Sequence, residues 1–325
     1  MKCRYPSKRP NMSKALEPDT ATVIRSQQVG YLLTVLGVAG FSAKAIFAKL
    51  AYVHGVEPIT LMTLRSLLAV PLLWLVFALR ESGRTTLNRR DWLRMLWAGL
   101  SGYYLAAYLD FYGLQTVTAT LERIILFLYP CFVVLLSAFL NRRRLGAKEW
   151  GALAIAYGGV VVTLAGTQSA QLAGQWPGLV LILTAAFIFA TYYVVAGELA
   201  RRLSAVRFSA YVMTIAGGAT LGHFLLLRPV TALLELPASV YAYAGGLALA
   251  STALPILLIA EGLRRIDTSS SATINLFGPI FTACLAYVIL GEHLRPLQWL
   301  GFGMVLAGVF ALGRPLRAAA KNATG

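Results

Sequence analysis

The sequence predicts an all-α polytopic membrane protein whose ten transmembrane helices form two inverted five-helix repeats. Three observations predict this fold class: a strongly apolar composition, ten apolar segments of membrane-spanning length, and an internal repeat. Hydrophobic residues make up 58% of the 325 residues and charged residues 13%. A soluble globular domain is roughly 45–50% apolar and about 25% charged, so one soluble core does not account for this composition.

The apolar segments have the length that a bilayer requires. A hydrocarbon core about 30 Å thick needs roughly 20 apolar residues of helix, and a helix satisfies its own backbone hydrogen bonds in lipid. The segments show little alternation of period two, which argues against a barrel. We number them 1 to 10 in chain order and expect them near 30–51, 59–79, 92–114, 118–140, 149–166, 177–198, 207–227, 239–263, 268–290 and 296–313.

The formal net charge of +16 is a topology signal. If the N-terminus is cytoplasmic, 22 of the 29 Lys and Arg residues fall on the cytoplasmic side, and only Arg228 and Arg295 fall on the other. Lys and Arg bias sets orientation, so we expect both termini in the cytoplasm and the chain in the inner or plasma membrane, with membrane lipid as a partner. No recognised motif or aromatic interleaving accompanies the basic runs, so no nucleic-acid partner is expected.

Two stretches of the chain repeat with a shift of 149 positions. Residues 113–160 align without gaps on 262–309. Each half holds five segments, and an odd number inverts the second half relative to the first. Inverted repeats are the architecture of secondary transporters, which bind substrate near the midplane between the repeats. The scarce residue types that match are Gly113 with Gly262, Pro130 with Pro279, Trp150 with Trp299 and Gly159 with Gly308.

This organisation predicts four parts of the chain. They are a disordered cytoplasmic N-terminal tail at 1–28, a first repeat at 29–167, a second repeat at 177–313 and a cytoplasmic tail at 314–325. The link from Gly166 to Pro177 carries no charge. Pro71 predicts a kink or a lost backbone bond near the middle of segment 2.

An ionisable group inside a membrane segment is a functional hypothesis by default. The five candidates of this kind are Lys44, Arg65, Asp110, Glu122 and Arg123. Asp110 near the end of segment 3 and Glu122 near the start of segment 4 should lie at similar depth. We hypothesise that one of them binds and releases a proton. The alternative is a structural ion network, in which Asp110 pairs with Arg65 or Arg123. Lys44 is a candidate to face an anionic or carboxylate-bearing substrate, or else it pairs with one of these carboxylates.

Aromatic and polar side chains add further candidates. Tyr104, Tyr108 and Tyr112 recur at four-residue spacing, so they form one helix stripe. This stripe serves either packing and interfacial anchoring or the wall of a cavity, and Tyr108 is its candidate substrate contact. Tyr129 and Asn275 lie beside the repeated prolines. Asn275 could hydrogen-bond a substrate, or it could join two helices.

Matched helix breaks mark the region where a transporter binds substrate. Pro130 interrupts segment 4, and Gly278-Pro279 interrupts segment 9 at the corresponding place. We therefore predict that these three residues form the hinges of two discontinuous helices.

Two five-segment halves with these motifs resemble the EamA family of the drug/metabolite transporter superfamily. The stretch from Ser269 to Val309 carries the resemblance best, through Gly278-Pro279, Gly291-Glu292-His293-Leu294 and Gly308-Val309. The first half departs from the pattern, because 141–144 reads Asn-Arg-Arg-Arg where the Gly-Glu pair would stand. We therefore do not expect Glu292 to have a role that is repeated in the first half. We expect it instead to order a helix end.

The resemblance implies a secondary active transporter of a small metabolite or drug-like compound, with gradient-coupled export by alternating access. A facilitator, an exchanger or an importer is the alternative. A membrane-embedded enzyme is the alternative outside the transporters, but the sequence holds no HExxH, GxSxG or Walker motif. No cofactor and no metal site are implied, and the protein is expected to be a monomer or a homodimer.

Overall fold

The structure, a computed structural model, describes residues 20–80, 86–266 and 268–323, and within these ranges it contains helices and no strand. A helical segment lies at each of the ten positions, and several segments consist of two or three consecutive helices. In chain order the helices of segments 1 to 5 are Thr20–Ser42 and Lys44–Tyr52; Pro58–Arg80; Arg89–Trp97, Ala98–Leu105 and Ala106–Gly113; Ala119–Leu126 and Tyr129–Leu140; and Ala147–Ala165.

The second half follows the same plan. Three short stretches in the whole described chain are π-helical, at 98–105, 249–253 and 286–290, and a 3₁₀ turn, Val230–Leu233, precedes segment 8. The helices of segments 6 to 10 are Ser169–Arg202; Ala205–Leu227; Ala238–Ala248, Leu249–Ala253 and Leu254–Leu263; Thr268–Asn275, Gly278–Leu285 and Ala286–Leu290; and Pro296–Ala323.

Among the residues that the structure describes, seven helical spans are long and apolar enough to cross a membrane, and they are those of segments 1, 2, 4, 6, 7, 8 and 9. The helix of segment 10 has a shorter apolar part, Pro296–Leu312. The predicted all-helical membrane fold is therefore confirmed, whereas the count of ten crossings stays a prediction.

Several helices extend beyond the apolar windows. The first helix begins at Thr20, inside the stretch 1–28 that we predicted to be disordered, while residues 1–19 lie outside the described residues. Segment 6 begins at Ser169 rather than near 177, and segment 10 continues into the predicted tail. Hydropathy marks the part of a helix that lipid covers, but Ala, Gln and Leu outside that part still favour helix.

Pro71, for which we predicted a kink or a lost backbone bond, lies inside segment 2, which continues as one helix from Pro58 to Arg80. The proline has no N–H to donate, so one backbone bond is lost without ending the helix. Neighbouring helices re-satisfy the backbone groups that a proline frees in a membrane helix. Segments 4 and 9 do break, at 127–128 and at 276–277, and each new helix has its proline at the second position. The two breaks correspond under the shift of 149.

The two halves also share backbone conformation at positions where their residue types differ. Arg142 has a positive φ of 50° and its counterpart Gly291 has 65°. The Glu149 carboxylate accepts a hydrogen bond from the Gly146 N–H at 2.9 Å. Its counterpart Gln298 accepts one from the Arg295 N–H at 2.8 Å. The two halves therefore share the conformation of this connection even where the residue types differ.

The strongest helix packing joins the two halves. Segment 5 packs on segment 10, segment 2 on segment 7, segment 1 on segment 8 and segment 3 on segment 6. Exchange of the two halves maps this set of pairs onto itself, as a pseudo-twofold relation requires. The described structure thus has a two-repeat architecture, and the inversion of one repeat relative to the membrane stays a prediction.

Glycines allow segments 5 and 10 to approach closely. A Cβ added at Gly159 would lie 2.6 Å from the Gly301 carbonyl oxygen, and one at Gly308 would lie 2.6 Å from the Ala156 nitrogen. Small residues at a helix interface let backbones meet in this way. A Cβ at the neighbouring Gly158 would instead make an ordinary contact of 3.6 Å with the Met304 Cε.

These distances predict different effects for two adjacent substitutions. Gly159→Ala should lower the free energy of unfolding by about 1–3 kcal/mol, because an overpacked interface forces the backbones apart. Gly158→Ala serves as the matched control and should leave stability unchanged or slightly higher. The thermal melting of the detergent-purified protein measures both effects, and equal melting of the two variants would contradict the packing described.

Candidate functional site

An ion cluster joins segments 1, 3 and 4 inside the helix bundle. The Lys44 ammonium donates hydrogen bonds to the Asp110 carboxylate and, at 2.9 Å, to the Glu122 Oε1. Asp110 is 3% exposed and Glu122 is fully buried. Lys44 therefore pairs with both carboxylates, which is the second of the two interpretations that its position in the sequence allowed.

A short connection brings the two carboxylates to the same depth. Segment 3 ends at Gly113, and segment 4 begins at Ala119, where the Thr118 hydroxyl accepts a hydrogen bond from the Leu121 N–H at 3.3 Å. The predicted juxtaposition of Asp110 and Glu122 follows from this tight turn.

Lys44 lies next to a break in segment 1. The first helix of that segment ends at Ser42, and the second begins at Lys44. The Ser42 hydroxyl donates to the Gly278 carbonyl at 2.9 Å, and the Thr282 hydroxyl donates to the Ser42 carbonyl at 3.1 Å. The break in segment 1 is thereby held against the break in segment 9, so the lysine is positioned by both halves of the chain.

The two arginines of the site do not take the predicted carboxylate partner. Asp110 pairs with Lys44, whereas Arg65 lies with its Cζ 5.2 Å from the centroid of the Phe111 ring. Arg123 lies against Gly278, since a Cβ at that glycine would come within 3.0 Å of the Arg123 Nη2. Within the described ranges, no carboxylate forms an ion pair with either guanidinium.

An aromatic array runs from segment 4 to segments 6 and 3. The Tyr129 ring stacks on Tyr193 at 5.1 Å and 23°. Tyr193 contacts Tyr192 at 4.9 Å, and Tyr192 contacts Tyr103 at 5.5 Å. Sequence reasoning missed Tyr192 and Tyr193 as site residues, although Phe189, Tyr192 and Tyr193 share the spacing of one helix face.

Three side chains of the array and the ion cluster are only partly covered by the described residues. Tyr193 is 40% exposed, and Lys44 and Tyr129 are half-buried. Each of the three therefore keeps part of its surface free of protein contact.

Two predicted contacts lie apart from the ion cluster. Tyr108 packs its ring on His223 at 5.0 Å, and the Tyr104 hydroxyl lies 3.0 Å from the Nδ1 of the same histidine. Asn275 is exposed, and its amide donates to the Ser271 carbonyl of its own helix at 3.1 Å. The structure does not bring either residue to Lys44.

Glu292 links the second repeat to the start of segment 4. Its carboxylate accepts hydrogen bonds from the Ala119 N–H at 2.7 Å, from the Thr120 N–H at 3.0 Å and from the Thr120 hydroxyl at 2.8 Å. A carboxylate is favourable at a helix N-terminus because it satisfies free N–H groups and opposes the helix dipole. Glu292 therefore caps the helix that carries Glu122.

The ion cluster predicts a large cost for removing its only ammonium group. Lys44→Met leaves two buried carboxylates without a counterion, so the free energy of unfolding should fall by about 3–5 kcal/mol. The double variant Lys44→Met/Asp110→Asn should recover part of this loss, since one negative charge is gone. Thermal melting in detergent tests both variants, with the exposed Lys148→Met as control. A double variant no more stable than the single one would contradict the bridge.

The helix cap predicts a local effect of Glu292. Glu292→Ala should cost about 0.5–2 kcal/mol, as the loss of other N-terminal caps does. The amides of Ala119 and Thr120 should exchange hydrogen faster in this variant, and mass-spectrometric hydrogen exchange resolves that segment. The exposed Glu235→Ala is the control, and unchanged exchange at 119–120 would show that the cap contributes nothing.

Comparison with known proteins gives a consistent assignment. The profile of the EamA-like transporter family matches residues 28–165 and 176–314. The uncharacterized transporter YcbK of Bacillus subtilis is 32% identical over 286 residues, which cover 87% of this chain and 92% of YcbK. An S-adenosylmethionine/S-adenosylhomocysteine transporter of Chlamydia trachomatis is 28% identical over 255 residues, or 74% of this chain and 76% of its own.

A solved crystal structure superposes with a TM-score of 0.61 at 17% identity, and the match covers 89% of this chain and 98% of that one. This likeness supports the fold alone. The relatives are named as transporters and not as enzymes. The chain is therefore a multi-pass membrane transporter that belongs to the EamA-like transporter family.

Proposed function

We propose that the protein is a secondary transporter that exports a small metabolite by alternating access and couples this movement to protons through Asp110 and Glu122. The observation that carries the proposal is that two buried carboxylates share one ammonium group, that of Lys44. Ionisable residues inside a membrane protein mark substrate or ion pathways and proton relays.

The charge balance of the cluster gives the proton a role. With both carboxylates ionised, Lys44, Asp110 and Glu122 carry a net charge of −1, and one proton neutralises the set. A protonated carboxyl group also holds the lysine less strongly, since a charge-assisted hydrogen bond is about twice as strong as a neutral one. Proton binding would therefore loosen the contact between segment 1 and segments 3 and 4.

The breaks in the helices supply the points at which the halves could move. The breaks before Pro130 and Pro279 occupy corresponding positions, and Ser42 ties segment 1 to the second of them. We propose that the repeats 29–167 and 177–313 are inverted units that rock about these breaks. Both termini are proposed to be cytoplasmic, in the cell membrane, because basic residues concentrate on that side.

The relative from Chlamydia trachomatis provides a first compound for a substrate screen. Its name states that it transports S-adenosylmethionine and S-adenosylhomocysteine. We propose to begin the screen with these two compounds, followed by mixtures of small metabolites. An exchanger or a facilitator is the second candidate function, because the Lys44 bridge also has the form of a structural ion network.

The decisive experiment measures proton flux in proteoliposomes that contain an internal pH dye. A transported compound should change the internal pH in the wild type. Asp110→Asn and Glu122→Gln should lose this signal by at least about tenfold, because the amides carry no exchangeable carboxyl proton. Counterflow of the labelled compound should persist in at least one variant, which separates coupling from folding.

The control for this experiment is Glu198→Gln, whose side chain is exposed and pairs with Arg94 at 3.5 Å. It should keep the full pH signal. Normal proton-coupled transport by both Asp110→Asn and Glu122→Gln would reject the coupling role. Transport by the wild type without any pH change would favour the exchanger or facilitator.

A further inference from the structure

We propose that the connection between segments 9 and 10 binds one phospholipid, whose headgroup carries a phosphate and a hydrogen-bond donor. The phosphate lies against His293 and Arg295, and an acyl chain lies in a groove beside Tyr287 and Trp299. In the proposed topology this end of the bundle faces away from the cytoplasm. The inference goes beyond the transport function, because no residue that lines this site belongs to the ion cluster.

A polar cavity lies where three connections of the chain meet, and we call it the polar cavity. Its volume is about 310 Å³. It is lined by the turn between segments 3 and 4, the link between segments 5 and 6, and the connection between segments 9 and 10, with Gln175, Glu292, His293 and Arg295 among its residues. Small-molecule sites span about 300–1,000 Å³, so this cavity suits a polar headgroup.

An apolar groove of about 360 Å³ adjoins the polar cavity, and Cys284, Tyr287, Val288 and Trp299 line it. Val288 is 76% exposed and Tyr287 is 59% exposed. Both belong to the stretch Thr273–Leu290, which is long and apolar enough to cross a membrane. The groove is therefore apolar, uncovered by the described residues and at membrane depth, where a lipid chain is the occupant that matches it.

The polar cavity and the groove share a wall. Glu292, His293 and Leu294 line both of them. The ring centroids of His293 and Tyr287 lie 5.0 Å apart, with the ring planes at 88°. The imidazole thus stands where the polar lining meets the apolar lining. A molecule that fills both spaces must be amphipathic, with a polar group in the cavity and a chain in the groove.

The polar cavity offers a cation and an acceptor that the described residues leave unused. Arg295 is exposed and forms no ion pair with a residue of the described ranges. The Gln175 Oε1 is buried and accepts no hydrogen bond there. The Glu292 carboxylate, in contrast, already accepts three hydrogen bonds from the start of segment 4. The lining therefore asks for an anion and a donor.

A phospholipid headgroup supplies both groups. A phosphate suits Arg295 because the planar guanidinium donates two parallel hydrogen bonds to it. A hydroxyl or ammonium group beyond the phosphate can donate to the Gln175 Oε1. A fatty acid carries no such donor beyond its anionic group, so it would leave that oxygen without a partner.

The backbone is unusual at the same place. Segment 9 ends in the π-helical stretch Ala286–Leu290, which carries Tyr287 and Val288. The shift of 149 places this stretch on 137–141, where segment 4 is α-helical through Leu140. Turns of π-helix occur frequently at functional sites. The groove therefore depends on a feature that the first repeat lacks, and it does not follow from the shared fold.

The test compares the lipids that the purified full-length protein retains. The protein is exchanged into an equimolar mixture of phosphatidylethanolamine, phosphatidylglycerol and phosphatidylcholine, and bound lipid is counted by native mass spectrometry. All three carry a phosphate, but the trimethylammonium group of phosphatidylcholine has no N–H or O–H to donate. We expect one retained lipid, with phosphatidylethanolamine or phosphatidylglycerol favoured about fivefold over phosphatidylcholine, which corresponds to about 1 kcal/mol.

Two variants test the headgroup contacts. Arg295→Gln should lower the retention of all three lipids, because each loses its phosphate partner. Gln175→Leu should instead make the three lipids equal, because the acceptor that distinguishes them is gone. Arg228→Gln is the matched control, since Arg228 is the other arginine expected on this side of the membrane and it pairs with Glu57. It should retain lipid as the wild type does.

A third variant tests the groove. Cys284→Trp fills it from an exposed position and should lower the retention of all three lipids alike. Leu226→Trp adds the same ring on segment 7, where the side chain is 86% exposed, and should leave retention unchanged. Thermal melting identifies a variant that does not fold, and the comparison of the three headgroups needs no variant.

Equal retention of the three lipids by the wild type would overturn the inference, and so would the absence of any retained lipid. Unchanged retention in Arg295→Gln would show that the phosphate does not bind there. A loss in Cys284→Trp with no effect of Arg295→Gln would reduce the site to a groove for any acyl chain and reject the headgroup. None of these results bears on the proton flux that tests the proposed function.

Discussion

The buried bridge from Lys44 to Asp110 and Glu122 is the interaction on which the site depends. A membrane interior gives isolated charges no water, so three of them persist there only while they satisfy one another. Three features hold the members of the bridge in place: the end of a helix beside Lys44, the tight turn between segments 3 and 4, and the contact of Glu292 with the start of segment 4. Each of these features positions one member of the bridge.

The sequence predicted the parts of this structure that follow from local chemistry. Apolar length located the helical segments, and the prolines at 130 and 279 located the two matched breaks. Asp110 and Glu122 were expected to lie close together because they have similar depths on two neighbouring antiparallel helices. The sequence left the partner of Asp110 open between Lys44, Arg65 and Arg123, because the choice depends on how segment 1 is rotated against segments 3 and 4. Helix rotation is set by packing between elements distant in sequence.

The same limit explains why sequence reasoning missed Tyr193 as a site residue and could not decide whether the helix continues through Pro71. Tyr193 becomes a site residue only when segment 6 packs against segment 4, and the spacing of Phe189, Tyr192 and Tyr193 indicated a common face without indicating its partner. Pro71 remains inside an unbroken helix because its surroundings decide whether a proline breaks a helix in a membrane. Helix ends were also shifted, at Thr20 and Ser169, since hydropathy reports contact with lipid rather than the hydrogen-bonded length.

The two repeats share a backbone but divide the chemistry between them. The shift of 149 places Ser271 opposite Glu122 and Ala272 opposite Arg123, so the charged groups of the site come from the first repeat. The second repeat contributes Tyr193, Gly278 and the carboxylate of Glu292, which contact the first repeat without adding an ion to the cluster. The two halves thus share a backbone plan, whereas the ion pairs of the site are made by the first repeat alone. In the alternating movement that we propose, a proton bound to Asp110 or Glu122 would weaken the contact of Lys44 with segments 3 and 4 whichever way the halves rock.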